Sequence, residues 1–311
     1  MQDIGIGEIG IALPAGRMIA AELAPALGID QERLERRLGF TGLARMAAGT
    51  DTSDLAIAAV EQLRAQGFDL GTVQCLCVVT QNPDGAGIPQ VSTIVHGRLG
   101  LDTNVATFDI AHGCAGFVYG LSITRGFMQC HGYTTGLLIT SDPYSKIVDP
   151  TDPYTALIFG DAAAATVLTA QPRWRVGKTD FGSSGEMREA LRVDVAGRLH
   201  MNGKRIARLA GTVVPDSIRA TLALNDLALG DVDEVLLHQG SRYIVETIGD
   251  TLGARDKTHF YAAEYGNLVS SSLPVALAMH VRPQVRRLIA CGFGVGLAWA
   301  TTLLTRDTHT S

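Results

Sequence analysis

Residues 109–123 read Asp109-Ile-Ala-His-Gly-Cys114-Ala-Gly-Phe-Val-Tyr-Gly-Leu-Ser-Ile123, and their pattern decides the fold. An apolar run ends at Ile110, a small-residue turn passes through Ala111, His112 and Gly113, and Phe117, Leu121, Ile123 and Phe127 then follow in a helical pattern. Cys114 therefore falls at a strand-to-helix elbow, on the first turn of a buried helix. Unpaired backbone N–H groups and the positive end of the helix dipole would point at its sulfur. Both favour thiolate and predict a pKa below the usual value of about 8.5. A free cysteine is equally often a small buried hydrophobe, so the rest of the chain has to decide.

Strands and helices alternate outward from this elbow. Upstream, residues 4–13 alternate apolar with small residues as a strand. Residues 29–38 form a charged helix with Asp30 as N-cap and Gly39 as stop, and Ser53 opens a helix ending at Gly67. Residues 73–80 are a continuous apolar run, as expected of a strand covered on both faces. Asn82–Gly87 is turn chemistry, residues 91–99 a short helix, and residues 107–110 the strand before the elbow. Downstream, residues 136–141 read as a buried strand, and residues 158–168 as a tight turn into a small-residue strand. From Gln171 to Arg208 Gly, Ser and charges dominate, which predicts hairpins and loops over a site. Helices are expected over 214–224, 242–252 and 273–280. Strands are expected at 235–237, 287–290 and 297–304, with 260–265 strand or extended and a glycine turn at 292–296.

The chain has 311 residues and is 46% hydrophobic, enough for one large domain or two average ones. No apolar run approaches the roughly 18 residues that span a bilayer, and no basic segment precedes an apolar one at the N-terminus, so neither a membrane span nor a signal peptide is expected. The five cysteines are odd in number and lie mostly in apolar segments, which suits a cytoplasmic protein. Cys75 and Cys77 alternate along one strand and lack a second ligand pair with zinc-like spacing, so both read as core and no metal is expected. A net charge of −5 argues against nucleic-acid binding.

The second half of the chain echoes the first. Val79-Thr80-Gln81 matches Leu237-His238-Gln239, the Cys114 elbow matches one at Gly266-Asn267, and Leu138-Ile139-Thr140 matches Leu288-Ile289-Ala290. The near-constant spacing predicts a duplicated unit of about 150 residues. Each unit alternates strand and helix, giving an α/β fold with mixed sheets covered by helices. The boundary is expected at 170, with a nucleophile-bearing half at 1–170, a second half at 171–311, and a loop or cap region at about 171–210. Duplication would bring Cys114, His238 at a strand's C-terminal end and Asn267 to one axis, and strand ends are where α/β sheets build sites. Singly, a strand-end histidine is commonly a satisfied polar residue, and an asparagine before a helix a cap. Together they have the logic of a thiol nucleophile with two partners. Asn267 cannot take a proton, so it suits stabilising a developing oxyanion.

These residues resemble a known family. Asp109–Phe117 around Cys114, Phe159-Gly-Asp161, His238-Gln239, Gly266-Asn267 with Ser270-Ser-Ser-Leu-Pro-Val-Ala-Leu277, and Gly292-Phe-Gly-Val-Gly-Leu-Ala-Trp299 are similar to the motifs of β-ketoacyl-ACP synthase III, a thiolase-fold condensing enzyme. The likeness runs from near residue 4 to about 305. It implies two duplicated βα halves in a five-layer α-β-α-β-α arrangement, with a homodimer in which residues 83–91 reach the partner's pocket. It also implies a decarboxylating Claisen condensation: Cys114 takes an acyl group from a thioester, while His238 and Asn267 hold the malonyl thioester carbonyl and stabilise the carbanion. The backbone N–H groups of Cys114 and Val295 would form the oxyanion hole. Ser241, Phe293 and Arg37 fall at substrate- or pantetheine-binding positions. Acyl-CoA or acyl-ACP would be substrates, with no resident cofactor.

Relatives differ in their third residue. Thiolases carry a second cysteine before the glycine turn, and Cys291 stands one residue too early, which reverses its face. Synthases I and II have a second histidine where Asn267 stands. Hydroxymethylglutaryl-CoA synthase needs a glutamate, and Glu264 is not on a matching motif. Plant-type polyketide synthases share Cys-His-Asn, but the elbow and the chain length favour synthase III. This chain also departs from housekeeping members: Arg33 stands where a tryptophan stacks on the CoA adenine, and Pro153 where the opposing arginine stands. Loss of both argues against acetyl-CoA priming and for a specialised enzyme loaded from an acyl carrier protein, in fatty acid-like or secondary metabolism. The cationic run Lys204-Arg205-Ile206-Ala207-Arg208 would dock that carrier, with Ile206 and Leu209 packing inward. His112 reads as a polar wall of the elbow. The competing enzymatic reading is acyl transfer from Cys114 to an alcohol or amine, with His238 as base. A retired, non-catalytic site fits poorly with all three residues present.

Overall fold

The computed structural model describes residues 3–306. In chain order its strands are β1 (Gly5–Ala12), β2 (Gly16–Ile19), β3 (Gly42–Arg45), β4 (Cys75–Val79), β5 (Ala106–Ile110), β6 (Thr135–Ser141), β7 (Ala163–Thr169), β8 (Trp174–Ser183), β9 (Leu191–Val193), β10 (Leu199–Met201), β11 (Glu234–Leu237), β12 (Arg287–Gly294) and β13 (Ala298–Arg306). Its α-helices are the short α1 (Ala20–Leu23), then α2 (Thr52–Ala65), α3 (Val91–Leu99), α4 (Gly116–His131), α5 (Gly203–Leu224), α6 (Arg242–Leu252) and α7 (Ser272–Met279).

The strands join in the order β11-β12-β13-β8-β1-β7-β6-β4-β5. The first half, β1-β7-β6-β4-β5, runs antiparallel, antiparallel, parallel, parallel. The second half, β8-β13-β12-β11, repeats the first three of those relations. This is the duplication read from the sequence, and the pairing refines it. Val79 stands beside Thr140 and Leu237 beside Cys291, so Thr140 corresponds to Cys291, one residue beyond the Ala290 expected. One pair, Ile6 with Trp174, joins β1 to β8.

Side-chain alternation builds five layers. On β4, Leu76 and Val78 face an outer cluster with Leu55, Ala59, Val60 and Leu63 of α2. Cys75, Cys77 and Val79 face a central cluster with Phe117 and Leu121 of α4 and Leu273 and Ala276 of α7. The same cluster takes Leu236, Leu288 and Ala290 from the second half. The other face of that half, Val235, Leu237, Ile289 and Cys291, packs on Val214, Ile218 and Leu222 of α5 and Val245 and Ile248 of α6. The layers are therefore α2/α3, sheet, α4/α7, sheet, α5/α6. A buried strand needs apolar residues at every position, because each neighbour faces a different layer.

Several local expectations change. The Asp30 carboxylate does accept the Arg33 N–H at 2.7 Å, but Arg33–Leu38 winds as a π-helical segment. Helix α2 starts at Thr52 and is capped by Asp51, with Asp54 returning the bond in a capping box. The larger correction is at 171–210. Trp174–Ser183 is no loop: it is β8, an interior strand between β13 and β1. Its alternation is diluted by Lys178, Thr179 and Asp180, and a register shift between Thr302 and Leu304 on β13 breaks its period. Helix α5 begins at Gly203, eleven residues before the helix expected from Val214, with Asn202 accepting the Arg205 N–H. The cap proper is the helical turn Gly185–Ala190 and the β9–β10 hairpin. Ala190, Leu191, Leu199 and Ile206 pack in one cluster with Cys114, Phe159 and Leu297.

Candidate active site

Strand β5 ends at Ile110, and helix α4 starts at Gly116 with Ala115 as its N-cap. Cys114 thus sits just ahead of the helix, rather than on its first turn. It is 4% exposed. The backbone N–H groups of Val295 and of Cys114 itself both reach its sulfur. The glycine turn makes this approach feasible: a Cβ on Gly294 would lie 2.6 Å from the sulfur.

The expected low thiol pKa is not what this setting produces. Burial pushes the Cys114 thiol up to about 12, and the two N–H groups offset only part of that. The Asp142 carboxylate, whose charge also raises it, lies on the same side. Asp142 is fully buried. It accepts the Gln81 N–H at 2.6 Å and the Ser270 hydroxyl at 2.5 Å, and burial pushes it up to about 6. Nothing in the sequence patterns above marked Asp142. Its one signal was position, directly after the buried strand β6, as Cys114 and His238 follow β5 and β11.

His238 directly follows β11 and is 2% exposed. Its backbone N–H donates to the Cys291 carbonyl, and the Phe293 ring meets its imidazole edge-on at 5.5 Å. Burial lowers its pKa to about 3, so the ring is neutral, and Nδ1 has no hydrogen-bond partner among the described residues. Phe293 and Gly294 are neighbours on β12, so this strand's end touches His238 with one residue and Cys114 with the next.

Asn267 enters from the other elbow. Its backbone bridges the Phe159 segment, donating to the Ile158 carbonyl at 2.8 Å and accepting from the Gly160 N–H at 2.9 Å. A Cβ on Gly160 would collide with the Tyr265 carbonyl, which accounts for Phe159-Gly-Asp161 as a motif. Asn267 Oδ1 accepts the Val269 N–H at 2.9 Å, which fixes the amide and leaves Nδ2 as the donor end. Ser270, three residues on, lies against Gly116 at the start of α4. The two elbows therefore meet.

The remaining expected residues have mixed placements. Phe293 lines a cavity of ≈ 10 Å³ with Ile206, Leu209, Gly294, Leu297 and Trp299. Ser241 caps α6, accepting the Ile244 N–H at 3.4 Å. Arg37 lies 5.7 Å over the ring of Tyr243. Lys204, Arg205 and Arg208 are exposed on α5, while Ile206 and Leu209 pack inward as expected. The Cys291 side chain is on the outer face of its strand, taking the Thr301 hydroxyl at 3.1 Å. His112 stacks on Tyr119 at 4.3 Å, with Nδ1 buried and unpartnered among the described residues. At the mouth, Arg33 donates to the Pro153 carbonyl at 3.1 Å and lies 5.4 Å over the Tyr154 ring. An aromatic–cation pair is thus present, with the two partners exchanged between segments. No group of three or more metal-ligating side chains occurs among the described residues, and no helix there is long and apolar enough to cross a membrane.

The chain also resembles known proteins. Residues 108–185 match the family model for 3-oxoacyl-[acyl-carrier-protein] synthase III, and residues 222–306 match the model for its C-terminal part. The chain is 33% identical to the β-ketoacyl-[acyl-carrier-protein] synthase III of Paramagnetospirillum magneticum, over 97% of this chain and 98% of the relative. The chain belongs to the synthase III family. A crystal structure of a 3-oxoacyl-(acyl-carrier-protein) synthase III superposes with TM-score 0.90 at 28% identity, over 97% of this chain and 99% of the other. The priming β-ketosynthase of the R1128 polyketide pathway superposes with TM-score 0.88 at 25% identity, over 98% and 97%. The synthase III fold is the thiolase fold, and its members are acyl-transferring condensing enzymes.

Proposed function

We propose that this synthase III family member forms a carbon–carbon bond by decarboxylative condensation, with Cys114 as nucleophile and His238 and Asn267 as the pair that holds the extender. The observation that carries the reading is the end of β12, where Phe293 meets the His238 ring at 5.5 Å and a Cβ on the next residue, Gly294, would lie 2.6 Å from the Cys114 sulfur, with the Val295 and Cys114 N–H groups favouring negative charge there. The thiol attacks a thioester carbonyl, the oxyanion is met by those two N–H groups, and the donor leaves as a thiol with the proton. A malonyl thioester then loses carbon dioxide. The electron pair of the broken C–C bond becomes an enolate, whose oxygen takes hydrogen bonds from the neutral imidazole and from Asn267 Nδ2. The enolate carbon attacks the acyl carbonyl, and the C–S bond to Cys114 breaks, the sulfur leaving as a thiolate that takes a proton from solvent. A neutral imidazole suits this step, because an imidazolium would offer the carbanion a proton.

Acyl transfer to an alcohol or amine needs His238 as base, and an imidazole held at about 3 is a weak one. The exchanged Arg33–Tyr154 pair occupies its own aromatic face, which supports carrier-bound over free CoA substrates. Lys204, Arg205 and Arg208 form the proposed carrier-docking face. We further propose a homodimer through β5, which ends the sheet, with the exposed Ile88 and Ile123 nearby in sequence to its flanking segments.

The two half-reactions test the assignment. Intact mass after incubation with acyl thioesters should show an adduct that Cys114→Ser abolishes. Carbon dioxide release from malonyl pantetheine should fall in His238→Ala and Asn267→Ala while their adducts still form. An Asn267→Ala enzyme with full activity would favour the alternative acceptor.

A further inference from the structure

The loops of His238 and Asn267 are tied together by a side-chain chain that lies behind them. Gln239, next to His238 and 1% exposed, accepts the Tyr261 N–H on its Oε1 at 2.6 Å and donates to the Leu237 carbonyl at 2.7 Å. Tyr261 donates its hydroxyl to Glu234, at the start of β11, at 2.8 Å. Glu234 is 2% exposed, and its Oε2 has no partner among the described residues. The ring of His280 lies flat on that of Tyr261, 4.8 Å away at 3°. His280 Nε2 is 3.1 Å from the hydroxyl of Tyr265, which is buried two residues before Asn267. His280 itself follows α7, the helix that Asn267 introduces, so the chain leaves at Tyr265, turns through the Asn267 elbow and returns to bind where it left.

We propose that Tyr261 and His280 are positioning residues, which set the His238 and Asn267 loops against one another so that both can reach a single oxygen. The inference rests on the proposed roles of His238 and Asn267. The geometry supplies the reason: two donors on separate loops serve one enolate oxygen only if their separation is fixed, and a rigid stack with a hydrogen bond at each end fixes it. Glu234 is buried with Tyr261 as its one hydrogen-bond partner among the described residues and with His259 and Arg282 acting on its charge, an arrangement that anchors the Tyr261 hydroxyl in place. Cys114 lies on the elbow before α4 and shares no hydrogen bond with these groups among the described residues, although it packs in one cluster with Tyr265, so its acylation should depend on them far less.

The test uses the full-length enzyme and separates the half-reactions. Tyr261→Phe removes the bond to Glu234 and keeps the stack; His280→Ala removes the stack and the bond to Tyr265. Each should lower kcat for carbon dioxide release from malonyl pantetheine roughly tenfold with little change in KM. The adduct on Cys114, followed by intact mass with the acyl pantetheine that loads the parent enzyme best, should form at nearly the parent rate. His280→Gln, which restores a group able to reach Tyr265, should recover much of the loss. Unchanged carbon dioxide release, or a parallel fall in both half-reactions, would overturn the proposal. His238→Ala and Asn267→Ala run alongside: if they also leave carbon dioxide release intact, the reading of the site fails, whereas if they abolish it and the Tyr261 and His280 variants do not, the positioning role alone fails.

Discussion

A thiol held near 12 is a slow nucleophile toward a general alkylating reagent, because its reactive form is the thiolate. Iodoacetamide at neutral pH should therefore label the exposed Cys130 well before Cys114, with Cys114 labelling rising as the pH is raised. Peptide mapping that finds Cys114 modified first would show that the two N–H groups outweigh burial. Asp142 gives a second expectation at this scale. Its folded pKa of about 6 stands above the unfolded value of about 3.9, so the folded state holds a proton that the unfolded chain has lost. Its contribution to stability therefore declines as the pH rises between those values and stays low above them. Asp142→Asn should flatten the fall in melting temperature across that window, and an unchanged profile would sink the assignment. Cys114, His238 and Asn267 stood out as candidates because each follows a strand or turn with an unusual residue for its place. The thiol's pKa was not legible, since it depends on how completely the cap and glycine turn exclude water.

Helix α5 shows what a sequence pattern conceals within an element. Its first turns read as a charge run because Lys204, Arg205 and Arg208 face out, yet Ile206, Leu209 and Ala210 beneath them line a small cavity with Phe293 and Gly294. Since Lys204 and Arg208 now share a helical face, Lys204→Glu with Arg208→Glu should lower kcat/KM for carrier-bound substrates and flatten its salt dependence. Activity with pantetheine thioesters should stay nearly unchanged; equal losses with both would remove the docking assignment. Strand β8 was illegible for a related reason. A strand is recognised by alternation, and one that lies at the junction of the two sheets, with a bulged neighbour, loses it. By contrast β4, buried on both faces, had to be apolar throughout and was read correctly.

At the scale of the molecule, the duplication was the feature best read in advance, because it leaves the same strand-end and elbow motifs in both halves, whereas strand order and direction came only from the structure. Strands β11 and β5 both end the sheet with one side unpaired among the described residues, and such edges are usually covered; the proposed dimer would cover β5. Sedimentation at micromolar concentration should give a dimer, and a monomer there would count against the proposed pairing. The topology also has a consequence for how the enzyme comes into being. In each half the strand made last is inserted next to the strand made first: β7 lies between β1 and β6, and β13 between β8 and β12. A chain emerging from the ribosome therefore carries β8 unpaired on one side until residues 298–306 have been synthesised, and Gly294, which touches the thiol, is fixed only when the hairpin to β13 closes. Cys114 is translated early and the turn that closes over its sulfur last, so an unfinished chain holds this cysteine in surroundings that are still open.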